Sequence, residues 1–322
     1  MKSIFFSAIS VLIAALFSLA IGEMAIRFKN ADGKNYHIEM WKYSQQLKTR
    51  SSNPVLGHEH IPNTDGFFQN VAIRINSYGM RGGDLVPSSG EEKRILFLGS
   101  SATLGWGVDE DKIMSSILED RLATSDQKTT VLNAGIGNYN AERYVELFLT
   151  DGYKLSPTDI IVNYYLNDAE LLSAGNEGFL IRNSQLMVTL WILKNQLLGK
   201  NGEDSLWSHY KNIYREDHEG FKRMKVALEK LSLYAKENNI RLHLVMLPEV
   251  HDLSPYKYHF VHEIMQNISN DLGYNYLDAY KLVSNIKDSK SLWAMPGDPH
   301  PNATAHKLFA EGIYRNIFSN PN

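Results

Sequence analysis

Cysteine is absent from the 322 residues. That excludes disulfide staples, thiolate metal sites, iron–sulfur clusters and a cysteine nucleophile, while leaving the compartment open, because a thiol-free chain tolerates either redox poise. A surplus of one charge is also missing. Lys and Arg number 33 against 36 Asp and Glu, a net charge of −3 with histidine neutral, and no Lys/Arg block occurs. Binding to nucleic acid through phosphate electrostatics needs such a patch, so no nucleic-acid partner is expected. No tandem repeat or low-complexity tract is found. Hydrophobic residues make up 43% and charged residues 21%, a balance that supports a buried core rather than disorder. The length fits about two domains or one large α/β domain.

One long uncharged run stands out, Ser3 to Gly22, between Lys2 and Glu23. As a helix rising about 1.5 Å per residue it spans roughly 30 Å, the thickness of a bilayer's hydrocarbon core. Ser18-Leu19-Ala20 offers the small residues of a signal cleavage site, but the run is longer than a signal core, which favours a retained anchor. Only Lys2 precedes the span, whereas Arg27, Lys29, Lys34 and Lys42 follow it. The positive-inside rule would keep the following domain cytoplasmic, yet long domains translocate largely regardless of charge. Orientation stays open at this point.

The chain divides into an anchor or signal segment over 1–29, a strand and loop collar over 30–90, and an α/β domain over 91–322. In the collar, Val71–Ile75 reads as a strand before the turn Asn76-Ser77-Tyr78-Gly79. In the domain, strands are expected at 94–98, 129–132, 159–165, 241–247 and 274–277. Helices are expected at 113–122, 141–149, 221–238, 259–272 and 304–318. Such alternation predicts a mainly parallel sheet covered on both faces, with chemistry at the carboxyl ends of its strands. Residues 170–220 break the rhythm: an apolar stretch with Trp191, then Trp207, Tyr210 and Tyr214. This reads as a helical insertion packed on the domain edge, with a lid or acceptor groove as the alternative.

Unusual polar residues fall at those strand ends. The first strand runs into Gly99-Ser100-Ser101-Ala102-Thr103-Leu104-Gly105-Trp106-Gly107. It lacks the Gly-Lys-Ser/Thr of a P-loop, and its glycines have the wrong spacing for a dinucleotide fingerprint. A serine on such a turn can present its Oγ while its own N–H faces a developing oxyanion. The second strand ends in Asn133-Ala134-Gly135-Ile136-Gly137-Asn138 and the third in Leu166-Asn167-Asp168. An asparagine there is a turn former, a helix cap or an amide donor. Late in the chain comes Gly297-Asp298-Pro299-His300-Pro301-Asn302. The carboxylate can hold the imidazole by its Nδ1–H and leave Nε2 as a base. His58, His60, His259 and His262 lack the carboxylate company that a zinc site needs, so no metal or cofactor is expected.

These four segments, in this order and spacing, resemble the blocks of the SGNH (GDSL) hydrolase superfamily over roughly residues 94 to 318. The set is far more specific than any single block. Asn76-Ser77-Tyr78-Gly79-Met80-Arg81 also resembles a segment upstream of the serine block in bacterial membrane-anchored members. The resemblance implies a three-layer α/β/α, flavodoxin-like fold with a mainly parallel five-stranded sheet. It matches Ser101 to the nucleophile, His300 to the base and Asp298 to its orienting acid. The oxyanion donors become Ser101, Asn138 and Asn167, with Gly137 as the alternative to Asn138. Three departures are visible: Ser100 replaces the aspartate of the name motif, Asn138 replaces a glycine, and the spacing is Asp-x-His rather than Asp-x-x-His. With that last spacing, a Ser–His dyad assisted by a carbonyl is the alternative to a triad.

The implied activity is a serine esterase that hydrolyses or transfers an O-acyl group, O-acetyl foremost, on a carbohydrate or lipid. The second reading is a catalytically degenerate, membrane-anchored glycan-binding or assembly protein. Asn302-Ala303-Thr304 is a glycosylation sequon beside His300, where a glycan would block the site. This favours a bacterial envelope, with a single-pass anchor and an extracytoplasmic (periplasmic) domain, or a cleaved secreted form.

Overall fold

The computed structural model describes residues 2–85, 92–123, 128–172, 178–198 and 203–319. The expected collar–domain boundary at 90/91 lies outside them. The uncharged run forms helix α1 (Lys2–Lys29). Its stretch Ile4–Lys29 is long and apolar enough to cross a membrane. It is exposed along its described side chains until Gly22, Glu23 and Ile26, which are half-buried.

The collar contains a helix where only strands and loops were expected. Helix α2 (Tyr36–Gln46) starts at Asn35, whose side chain accepts from the Ile38 N–H. Its buried face carries Ile38, Glu39 and Tyr43. A buried glutamate interrupts the apolar period that a sequence reading relies on, and tertiary packing decides the helix instead. Two antiparallel hairpins follow: β1 (Lys48–Arg50) with β2 (His58–His60), and β3 (Thr64–Phe68) with β4 (Val71–Ile75). Tyr43, Leu47, Phe68, Ile73 and Ile75 pack with Leu104 and Trp106 of the serine turn into one cluster. The collar is thus packed directly against the serine turn.

The central sheet comprises β5 (Lys93–Gly99), β6 (Thr129–Asn133), β7 (Asp159–Tyr164), β8 (Arg241–Met246) and β9 (Asn275–Asp278). All four pairings are parallel, in the spatial order β6-β5-β7-β8-β9. Ile95 to Leu98 and Ile160 to Val162 are fully buried, the continuous apolar runs of strands covered on both faces. Helices α3 (Ser101–Leu104), α4 (Met114–Leu122), α5 (Ala141–Thr150), α6 (Phe179–Asn183), α7 (Gln185–Leu198), α8 (Glu203–Ile213), α9 (Glu219–Glu237), α10 (His259–Leu272) and α11 (Ala303–Ile313) complete the chain. One layer holds α5, α9 and α10, and the other holds α4 and α11. This is the expected three-layer arrangement, and the strand order reverses direction at β5. A short hairpin, β10 (Trp293–Met295) with β11 (Asp298–Pro301), precedes α11.

In the insertion, Tyr210 of α8 and Tyr214 just beyond it are buried on the domain edge. The Tyr214 hydroxyl lies 2.8 Å from that of Tyr164 and donates to the Leu166 carbonyl at 2.9 Å. Helix α7 instead meets the end of α1.

Candidate active site

The crevice of such a sheet opens at the carboxyl ends of its strands, where the strand order reverses. Three segments meet there. Ser101 follows β5, Asn138 follows β6 and Asn167 follows β7. With Tyr36, Met40, Tyr165, His300 and the flanking prolines they line a cavity of about 170 Å³.

Close backbone approach makes this possible. A Cβ on Gly99 would lie 2.0 Å from Thr103 Oγ1, and one on Gly135 would lie 2.2 Å from the Leu104 nitrogen. Only glycine lets β5 turn so abruptly into α3 and lets the second turn press against it. Ser101 opens α3, whose trailing carbonyls are taken up from two sides. Asn133 donates to the Thr103 carbonyl at 2.8 Å, and buried Arg81 donates to the carbonyls of Leu104, Gly105 and Val108 at 2.6, 2.6 and 2.5 Å. Burial draws the Arg81 pKa down to about 10, which leaves the guanidinium charged at neutral pH.

Ser101 Oγ lies 2.8 Å from His300 Nε2. On the other side of the ring, His300 Nδ1 lies 2.6 Å from Asp298 Oδ1, which also accepts from the His300 backbone N–H at 3.1 Å. The Asp-x-His spacing therefore closes without a third residue, because the β11 backbone folds the carboxylate back onto its own neighbour. Asp298 Oδ2 accepts from Gln69 Nε2 at 2.6 Å and from the Trp106 indole at 3.1 Å. Burial alone pushes the Asp298 carboxyl up, but the hydrogen bonds from His300 and Gln69 outweigh it and hold the pKa below the ordinary carboxylate value. The carboxylate is thus ionised throughout the neutral range.

The oxyanion candidates divide. Asn138 has φ of 64°, the left-handed region where glycine is usual and asparagine is the best-tolerated substitute. Asparagine can therefore adopt a conformation that otherwise calls for glycine at this turn. Gly137, the alternative, has both backbone groups engaged: its N–H donates to the Tyr43 hydroxyl at 3.1 Å, and its carbonyl accepts from Lys48 Nζ at 3.0 Å. Asn167 sits in a single turn whose Asp168 carboxylate accepts from the Tyr165 N–H at 3.0 Å. Its Oδ1 is buried with no partner among the described residues. The sequon residue Asn302 caps α11, accepting from the Thr304 and Ala305 amides at 3.0 and 3.1 Å.

Sequence reading missed Gln69, Trp106, Tyr36 and Met40, three of them in the collar. Gln69 and Asn70 occupy the two central positions of the β3–β4 turn, with φ of 49° and 61°. Such turns favour Asn-Gly, so a glutamine in this conformation marks a strained residue kept for its side chain. Its backbone N–H donates to the buried Glu39 of α2 at 3.0 Å. Gln69→Gly should relax the turn while deleting the amide. The expected result is an unchanged or raised melting temperature with a drop in kcat of about tenfold, the loss of one hydrogen bond to a charged group. An unchanged kcat would reduce Gln69 to a turn residue.

No protein-family model matches the chain, and no curated protein matches it in sequence. Among solved structures it is similar to TesA (TM-score 0.45, 13% identity, covering 70% of this chain and 98% of that one). It is also similar to the psychrotrophic esterase EstA from a Pseudoalteromonas species (0.43, 17%, 70% and 96%). A third is Axe2, an acetylxylan esterase from Geobacillus stearothermophilus (0.48, 14%, 73% and 97%). The likeness is one of chain trace, and the chemistry below rests on this chain's own side chains. In this chain, a three-layer α/β/α frame brings Ser101 and His300, from its two ends, into hydrogen-bond contact.

Proposed function

We propose that this protein is a membrane-anchored serine esterase acting on a small O-acyl group, O-acetyl foremost, of a glycan or lipid. The observation that carries the reading is the continuous hydrogen-bonded line Ser101 Oγ–His300 Nε2 and His300 Nδ1–Asp298 Oδ1, at 2.8 and 2.6 Å. His300 takes the Ser101 proton as Oγ attacks the ester carbonyl. The Ser101 and Asn138 N–H groups and the Asn167 amide hold the oxyanion. Collapse expels the alcohol, which receives the proton from His300. Water or a second hydroxyl then attacks the acyl-serine, giving its proton to His300, and Ser101 regains one as the acyl group leaves. The cavity of about 170 Å³ is smaller than the roughly 300 Å³ at which sites begin to enclose a whole small molecule. It suits a short acyl group, with the remainder of the substrate outside.

Helix α1, exposed and apolar over the span from Ile4, serves in this reading as the bilayer anchor. A fluorophosphonate probe tests the catalytic part. Labelling of the full chain that disappears in Ser101→Ala is expected, whereas absence of labelling, or labelling that persists in the variant, would favour the inert binding protein.

A further inference from the structure

Most exposed apolar side chains of the folded domain stand singly among charged neighbours, as Val226 and Leu233 do on α9. The α6–α7 segment differs. Phe179 and Leu180 are exposed on α6, and Leu190, Trp191, Leu193 and Leu197 on α7. Leu190, Leu193 and Leu197 recur at helical spacing on the side opposite Val188, which is buried. A continuous apolar stripe of this kind marks an interaction surface.

Its position relative to α1 indicates what covers it. Glu23 is the first charge after the uncharged run, so it marks the level at which α1 leaves the hydrocarbon. Its carboxylate accepts from Ser184 Oγ at 2.7 Å, the Gln185 N–H at 3.1 Å and the Leu186 N–H at 2.9 Å, capping α7. Gly22 lets Leu186 close in, a Cβ there lying 3.1 Å from Leu186 Cδ2. From the domain side, the Trp41 indole donates to the Ile181 carbonyl at 2.9 Å. The first turn of α7 is therefore pinned at the depth where the anchor emerges. At 14 residues α7 is about 21 Å long, short of the roughly 20 residues that a span requires. A helix that starts at the interface, cannot cross and carries leucines and a tryptophan outward has the properties of an interfacial membrane helix.

We propose that α6 and α7 lie in the lipid leaflet beside α1, forming a second membrane contact that fixes the domain against the bilayer. This rests on the reading of α1 as an anchor. Helix α2, which follows α1, carries both Trp41, bonded to this segment, and Tyr36 and Met40, which line the cavity. A rigid membrane contact joined to α2 through Trp41 thus holds the cavity at a set height above the lipid, favouring acyl substrates held at the membrane surface.

The cysteine-free chain permits a direct test. Single variants Leu12→Cys on α1, Leu193→Cys on α7 and Leu233→Cys on α9 would be spin-labelled in the full chain. They would be reconstituted in phosphatidylethanolamine/phosphatidylglycerol vesicles, after circular dichroism melts show that each folds. The expected result is collision with lipid-soluble oxygen exceeding collision with a water-soluble nickel chelate several-fold at positions 12 and 193, with the order reversed at 233. Position 12 in lipid with position 193 behaving like 233 would overturn the proposal and leave the anchor standing. Protection of position 193 from both reagents would mean that a second copy or another protein covers α7, and would also overturn it. Nickel access at position 12 would overturn the anchor reading and this one with it.

Discussion

Replacing Ser101 with alanine is expected to lower kcat/KM for a short-chain aryl acetate by about 10⁴-fold or more, the scale of losing the nucleophile from a serine triad. The residual rate would come from the oxyanion donors, which the substitution leaves in place. Stability should hardly change, because among the described residues Ser101 Oγ bonds to His300, and Ser101 is half-buried rather than part of the core. Asn167→Ala should cost less, about a hundredfold, as one oxyanion donor among three. Measured initial rates on the purified full chain decide the matter. A Ser101→Ala protein that keeps wild-type turnover would remove this hydroxyl from the chemistry, whatever its distance from His300.

The second large effect concerns folding. Arg81→Met is expected to destabilise the protein by about 2–6 kcal/mol, a large part of the 5–15 kcal/mol that domains typically possess. Methionine fills the space but donates nothing. The carbonyls of Leu104, Gly105 and Val108, all in buried residues, would lose the guanidinium that binds them. The Gly105 carbonyl keeps the Val108 N–H at 3.1 Å, so the loss falls on Leu104 and Val108, at about 1–3 kcal/mol for each unsatisfied buried carbonyl. Arg81→Lys should recover little, because an ammonium on a flexible stem cannot reproduce the planar fork that reaches three acceptors. The midpoint of denaturant unfolding checks this, and a shift within the range of an ordinary surface substitution would show that the turn is held by its glycines alone. Because Arg81 N–H also donates to the Asn133 carbonyl at 3.0 Å, this residue joins the turns after β5 and β6. The Asn76–Arg81 segment, known from sequence only as a resemblance, thereby gains a physical role in clamping the turn that presents Ser101.

The elements legible in the sequence were those whose side chains follow one period. Val71–Ile75 and His259–Leu272 coincide with the expected limits, and the five strands of the sheet deviate by a residue or two. Local chemistry placed Ser101, Asn167, Asp298 and His300 at strand ends and turns for the same reason: glycines, prolines and short polar residues act on their immediate neighbours. Helix α2 escaped because its inward face includes Glu39, whose burial makes sense only beside Lys42, 2.6 Å away, and the Gln69 backbone.

From the order of residues alone came the alternating strands and helices, the uncharged first helix and the candidate site residues at the strand ends, since each depends on neighbours within a few positions. Folding in three dimensions decided the rest. It engaged the Gly137 N–H with the Tyr43 hydroxyl. It gave Asp298 its partners Gln69 and Trp106, and set α7 against the exit of α1. Those contacts join residues tens to hundreds of positions apart, where no local period or spacing records which donor will meet which acceptor.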